Sequence, residues 1–127
     1  MAQGGGRSRG RGAERRQAPR IEILGQLEGF LMTVDTPVRV LDVSAGGFGV
    51  ETAQALTSGD IHECRFELRA GVAVILLARV QHCRPKKGPR ASMRYLAGFQ
   101  FLDASPEAEA GRAQLMERVA AILQQGK

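Results

Sequence analysis

Two short stretches hold residues whose types and spacing could do chemistry. "RRQAPR" (15–20) carries Arg15, Arg16 and Arg20, and "DVSAGGFGV" (42–50) follows some twenty residues later with Asp42, Ser44, Gly46 and Gly47. Arginine presents a rigid fork of donors that matches phosphate oxygens and also the O6/N7 edge of guanine, and its flat face stacks on a base. It has no acceptor. Asp42 supplies one, suited to the N–H groups on guanine's other edge. Asp42 and Ser44 stand two apart, so on a strand they project from one face, and the glycines after them allow a turn with positive φ and close approach of a ligand to the backbone. Together the two sets fit a guanine nucleotide.

The elements that must position these groups follow from texture. From Ile21 the chain runs in short apolar segments separated by turn residues. "IEILGQLEGFLMTV" and "PVRVLDV" alternate in part, and "GFGVE" follows a glycine pair. "IHECRFELR" puts Cys64, Phe66 and Leu68 on one face and Arg65, Glu67 and Arg69 on the other. "AG" at 70 and 71 suits a hairpin turn into "VAVILLARVQHC", a polar loop covers 84–93, and "RYLAGFQFL" reads as a last strand. Six strands at this spacing fit a small antiparallel barrel or sandwich. A helix over about 106–124 should follow, capped by Ser105, with Pro106, Glu107 and Glu109 in its first turn and Leu115, Val119, Ile122 and Leu123 on one apolar face. Gly111 weakens that helix by roughly 1 kcal/mol, so packing must support it.

Length and charge narrow the classes. The chain's 127 residues, 43 % of them hydrophobic, suffice for one domain with one core. Residues 1–20 hold six arginines against Glu14, which accounts for the whole net charge of +5. Positive charge is thus local and points to an anionic partner at those places. Residues 1–14, Gly/Arg-rich without a large apolar anchor, read as a flexible arm. A second basic segment, with Arg84, Lys86, Lys87, Arg90 and Arg94, is either a solvated loop or a surface for an acidic partner. The apolar run "GVAVILLARV" breaks at Arg79, far short of the ~20 residues a membrane span needs, and the N-terminus lacks the apolar centre of a secretory signal. A cytoplasmic protein with free thiols at Cys64 and Cys83 is expected.

At this point the sequence resembles a known family. R-x-x-x-R as Arg16 and Arg20, followed by D-x-S-x-x-G as Asp42, Ser44 and Gly47, looks like the PilZ domain, a bacterial receptor for cyclic di-GMP. The resemblance runs on through "LTSGD", the hairpin, "YLAGFQF" and the closing helix, covering roughly residues 15–124. It implies a mainly β fold, a six-stranded antiparallel barrel to about residue 104 with a C-terminal helix, making 15–127 the domain beside the arm. It further implies that Arg16 and Arg20 grip phosphate and guanine while Asp42, Ser44, Gly46 and Gly47 hold the base from the barrel surface, with Arg15 as an added contact. The implied role is a stand-alone receptor or adaptor that acts on an unidentified protein effector through ordering of the arm.

Other readings have residues of their own. The Arg/Gly arm and the 84–94 segment could bind RNA or DNA from a small barrel, although aromatics make up only 5 % of the chain and leave few stacking side chains. A ligand-independent protein-interaction module is a further alternative. His62, Cys64, His82 and Cys83 offer zinc ligand types, but His82 and Cys83 are strand neighbours that point to opposite faces, so no metal site is expected. "DVSAGG" is not a G-x-S-x-G elbow, and "GGFG" lacks the Lys-Ser/Thr of a phosphate loop. Neither an enzyme nor a resident cofactor is expected.

Overall fold

Alternation of apolar and polar side chains becomes an inside and an outside. In a computed structural model that describes residues 20–86 and 94–125, His62, Cys64, Phe66 and Leu68 are buried on one face of a strand, while Ile61, Glu63 and Arg65 stand exposed on the other. Six such strands form: β1 (Ile21–Leu31), β2 (Thr36–Val43), β3 (Gly47–Thr52), β4 (Ile61–Arg69), β5 (Val72–Lys86) and β6 (Arg94–Phe101). All pair antiparallel in the order β1-β2-β3-β6-β5-β4, and β1 closes on β4 to make a barrel. That closing ladder is short, with register pairs from Glu28↔Glu67 to Leu31↔Cys64. The barrel expectation holds, and the sandwich does not.

Three phenylalanines fill the middle of the barrel. Phe48 stacks on Phe99 with ring centroids 4.7 Å apart and meets Phe66 edge-on at 4.9 Å. Such pairs add about 0.5–1.5 kcal/mol each beyond the area they bury. Around them pack Ile23, Leu27, Leu31, Val40 and Val43. The helix, α1 (Pro106–Gln125), is capped as expected: Ser105 Oγ accepts the Ala108 N–H at 3.1 Å, satisfying a donor the first turn leaves free. It buries Ala108, Leu115, Val119 and Ile122 against the barrel, whereas Leu123, a helical step of about 100° past Ile122, stands at the margin of that face and is 42 % exposed. At Gly111 a side chain would stand 3.2 Å from Leu76 Cδ2, so the residue that weakens the helix also lets it approach β5.

Several local expectations change. β5 runs to Lys86, so Arg84 and Lys86 lie on a strand paired with β6 and not in a loop; Lys87 and Arg90 lie outside the described residues. Gly71 supplies the positive φ of the β4–β5 hairpin turn, at +78°. Gly46 and Gly47, expected to do likewise after Ser44, have no positive φ. Gly47 answers a different need: a Cβ there would collide with the Phe99 carbonyl of β6. Unforeseen is a bulge in β1 between Glu22 and Leu27, where Leu24 and Gly25 take φ of 48° and 89° and Arg39 donates to the Leu24 carbonyl at 3.1 Å. No helix among the described residues is long and apolar enough to cross a membrane.

Candidate functional site

β1 brings Arg20 to the end of β2. Glu22 and Asp42 are register partners, which sets Arg20, just ahead of β1, within reach of Asp42. Arg20 Nη1 donates to Asp42 Oδ1 at 2.5 Å, across twenty-two positions of sequence. Both remain solvated, with side-chain exposures of 53 % and 25 %.

A single row of residues extends from this pair across the outside of the barrel. Asp42 pairs with Gly49 on β3, Gly49 with Gly98 on β6, and Gly98 with His82 on β5. Two acceptor-bearing side chains thus flank two glycines. The glycines are needed: a Cβ at Gly49 would stand 3.0 Å from Asp42 Oδ2, and one at Gly98 would stand 2.5 Å from His82 Nε2. The Asp42 carboxylate and His82 ring therefore lean over bare backbone and line a hollow of about 320 Å³, together with Arg20, Leu41, Arg84 and Leu96. Its floor is bare glycine backbone and its rim offers donors and acceptors. That suits a planar, hydrogen-bonding ligand with negative charge.

A second row, Arg39–Glu51–Leu96–Arg84, runs beside the first. Glu51 is buried and meets cations from three strands: Arg39 of β2 at 3.5 Å, Lys86 of β5 at 3.2 Å and Arg94 of β6 at 3.2 Å. Burial pushes its carboxyl up, but hydrogen bonds and charge from Arg94 and Lys86 outweigh this and hold it below the ordinary carboxylate value. Arg84, Lys86 and Arg94 of the basic segment therefore part company. Arg84 lines the hollow, while the other two serve Glu51.

Of the residues singled out by spacing, the structure brings Arg20 and Asp42 together and sets Ser44 apart. β2 ends at Val43, so Ser44 does not stand beside Asp42; it is buried, its hydroxyl 3.4 Å from the Gly47 carbonyl and its N–H bonded to the same oxygen at 2.8 Å. Gly46 accepts the Phe101 N–H at 2.9 Å. Ser44, Gly46 and Gly47 thus build the turn that ends β2, and Arg15 and Arg16 lie outside the described residues. His82, Arg84 and Gly49 were not foreseen as lining residues. Nothing in their local sequence marks them, since only the register of four strands makes them neighbours of Asp42.

A larger hollow, about 580 Å³, lies elsewhere, among Gly25, Phe30, Pro37, Arg39, Arg65 and Arg94. It contains neither Arg20 nor Asp42, and chemistry ranks the smaller hollow above it. His62 is buried, and its ring stands edge-on to Phe99 at 6.0 Å. Cys83 takes the Leu56 N–H on the side away from His82, as strand alternation requires. Burial pushes the Cys64 thiol up to about 12.

The chain is thus a small closed six-stranded barrel with a helix against it and an arginine–aspartate pair on its outer face. The family model for the PilZ domain matches residues 14–120, and the chain belongs to that family. Among solved structures it is similar to the PilZ domain of YcgR from Escherichia coli with c-di-GMP, at a TM-score of 0.70 and 17 % identity, covering 88 % of this chain and 96 % of that one. It is also similar to the MrkH–c-di-GMP complex of K. pneumonia (TM-score 0.66, 11 % identity, 88 % of this chain and 55 % of that). The Bacillus subtilis inhibitor of motility MotI/DgrA gives 0.60 at 20 % identity, over 87 % and 52 %. The chain spans about half the length of these last two. At such identities the likeness is one of fold. No curated protein matches the sequence.

Proposed function

We propose that the chain binds cyclic di-GMP at the Arg20–Asp42 hollow and acts as a receptor that passes the signal to a protein effector. The observation that carries this is the meeting of Arg20 and Asp42 over a glycine floor, in a chain of the PilZ family. Asp42 accepts from the N–H edge of guanine; Arg20, with Arg15 and Arg16 ahead of it, takes phosphate and the O6/N7 edge. Gly49 and Gly98 admit the base, and His82 and Arg84 border it. Ser44, Gly46 and Gly47 act on the ligand through the turn that holds Asp42. In free protein the exposed Arg20–Asp42 pair is worth about 0–1 kcal/mol, so turning Arg20 toward a phosphate costs little.

The relay follows from the same residues. Capture of the three arginines draws residues 15–20 onto the barrel and fixes residues 1–14 in front of it, creating or covering a surface that the effector reads. Amide exchange over residues 10–22 should slow at saturating ligand; unchanged exchange there would remove this part of the proposal.

Calorimetric titration with cyclic di-GMP tests the binding itself, with cyclic di-AMP and a mixed-sequence RNA as controls and Arg16→Ala and Asp42→Ala as variants. Saturable binding selective for cyclic di-GMP, lost in both variants, is the expected result. RNA binding that weakens steeply with salt, with no response to cyclic di-GMP, would move the function to the Arg/Gly segment.

A further inference from the structure

Away from the Arg20–Asp42 hollow, the outer face of the β4–β5 hairpin presents apolar side chains to solvent. Ile61 is 47 % exposed, Ile75 53 % and Leu77 37 %, and the hairpin's register makes them one patch. Across the two strands the outward rows are Ile61–Arg79, Glu63–Leu77, Arg65–Ile75 and Glu67–Ala73. Leu102, whose N–H donates to the Leu77 carbonyl at 3.0 Å, extends the second row beyond β5. Single exposed apolar residues need no explanation, but a contiguous group marks a surface that associates.

We propose that this face pairs two copies of the chain, sheet on sheet, about a two-fold axis. The axis lies between the two facing sheets and parallel to them, perpendicular to the strands and midway between the Glu63–Leu77 and Arg65–Ile75 rows. Rotation about it reverses strand direction and keeps lateral order, so each of these rows falls on the other. Leu77 then meets Ile75 of the second copy, Glu63 meets Arg65, and Arg65 meets Glu63. Facing sheets stand about 10 Å apart, a gap that glutamate and arginine span from opposite sides. Arg65 already leans along this face toward Glu67, with 2.9 Å between Nη1 and Oε1, and both keep exposed surface for a second partner.

Charge complementarity selects this axis and rejects its neighbours. Moving it onto the Glu63–Leu77 row sets Glu63 against Glu63; moving it onto the Arg65–Ile75 row sets Arg65 against Arg65. An axis along the strands and midway between β4 and β5 would lay the charges of β4 over the apolar residues of β5. An isologous contact must be self-complementary, and the midway axis gives like apolar and opposite charged neighbours in the two central rows, with Ile61 facing Glu67 and Arg79 facing Ala73 at the margins. The contact involves neither Arg20 nor Asp42, so it stands or falls independently of ligand binding.

Sedimentation equilibrium of the full chain from about 10 µM to about 1 mM, the range in which small interfaces associate, tests it. A concentration-dependent dimer is expected. Glu63→Arg and Arg65→Glu, both at exposed positions, should each weaken it by about tenfold or more, and the double variant Glu63→Arg/Arg65→Glu should recover most of the loss. Leu77→Glu should abolish it while the monomer's melting temperature is retained. A monomer throughout the range would overturn the proposal. A dimer indifferent to Leu77→Glu, or single charge reversals that the double variant fails to rescue, would do so too.

Discussion

Gly98 shapes the candidate site by what it lacks. With a methyl group there, His82 Nε2 would be 2.5 Å away, and the ring, being the free end of a side chain, would swing aside. Gly98→Ala should therefore keep the fold, shifting the melting temperature by no more than about 4 °C, while lowering cyclic di-GMP affinity by about tenfold or more in a calorimetric titration. Loss of affinity only after loss of structure would tell against this role. Cys64 makes a second prediction at the same scale. Its thiol is held near 12 by burial, so the unfolded chain ionises first as pH rises. Stability present below about pH 8.5 should fall above it, by at most about 1.4 kcal/mol per pH unit, and Cys64→Ala should flatten that slope in denaturant melts at pH 8 to 10.5. Arg20 and Asp42 were legible in the sequence because their types and spacing announce an anion and a guanine edge. His82 was not. A histidine inside a strand carries no mark of which neighbour the register will give it.

At the scale of elements, the turn after β2 decides where Asp42 stands. Its glycines suggest a positive φ in the sequence, but neither takes one, and Gly47 serves close approach instead, which local sequence does not distinguish because the opposing group, the Phe99 carbonyl, lies fifty-two positions away. That opposing group is backbone and cannot swing aside. Gly47→Ala should accordingly push β3 off β6 and destabilise the chain by about 2 kcal/mol or more in chemical denaturation, in contrast to Gly98→Ala. Helix α1 was legible nearly to its ends because its signals are local: a serine cap, a first-turn proline and early glutamates. Ser105→Ala should cost about 1 kcal/mol by removing the acceptor of the Ala108 N–H. The bulge in β1 carried a signal that went unread, a glycine inside a strand pattern at Gly25.

Across the whole molecule, Glu51 ties β3 to β2, β5 and β6 through three cations. A carboxyl lowered in the folded state stabilises at pH values above its unfolded value of about 4.3, and that contribution is lost as pH falls through the lower folded value. Acid denaturation should thus come at lower proton concentration in Glu51→Gln, which should lose about 2 kcal/mol at pH 7, measured by urea unfolding across pH 3–7. Alternation in sequence told inside from outside in β4 and in part in β1 and β2, yet left barrel and sandwich equal. What separates them is one contact, β1 on β4, between segments that no local pattern joins. Closure has a further consequence. A partner that recognises a protein by adding a strand needs a long free edge, and in this ring the stretch of β1 ahead of Glu28 that lacks a β4 partner is interrupted by the bulge at Leu24 and Gly25. Among the described residues the barrel thus presents side chains more than backbone edge, and partners that read those side chains can be exchanged through surface substitutions that leave every ladder bond in place.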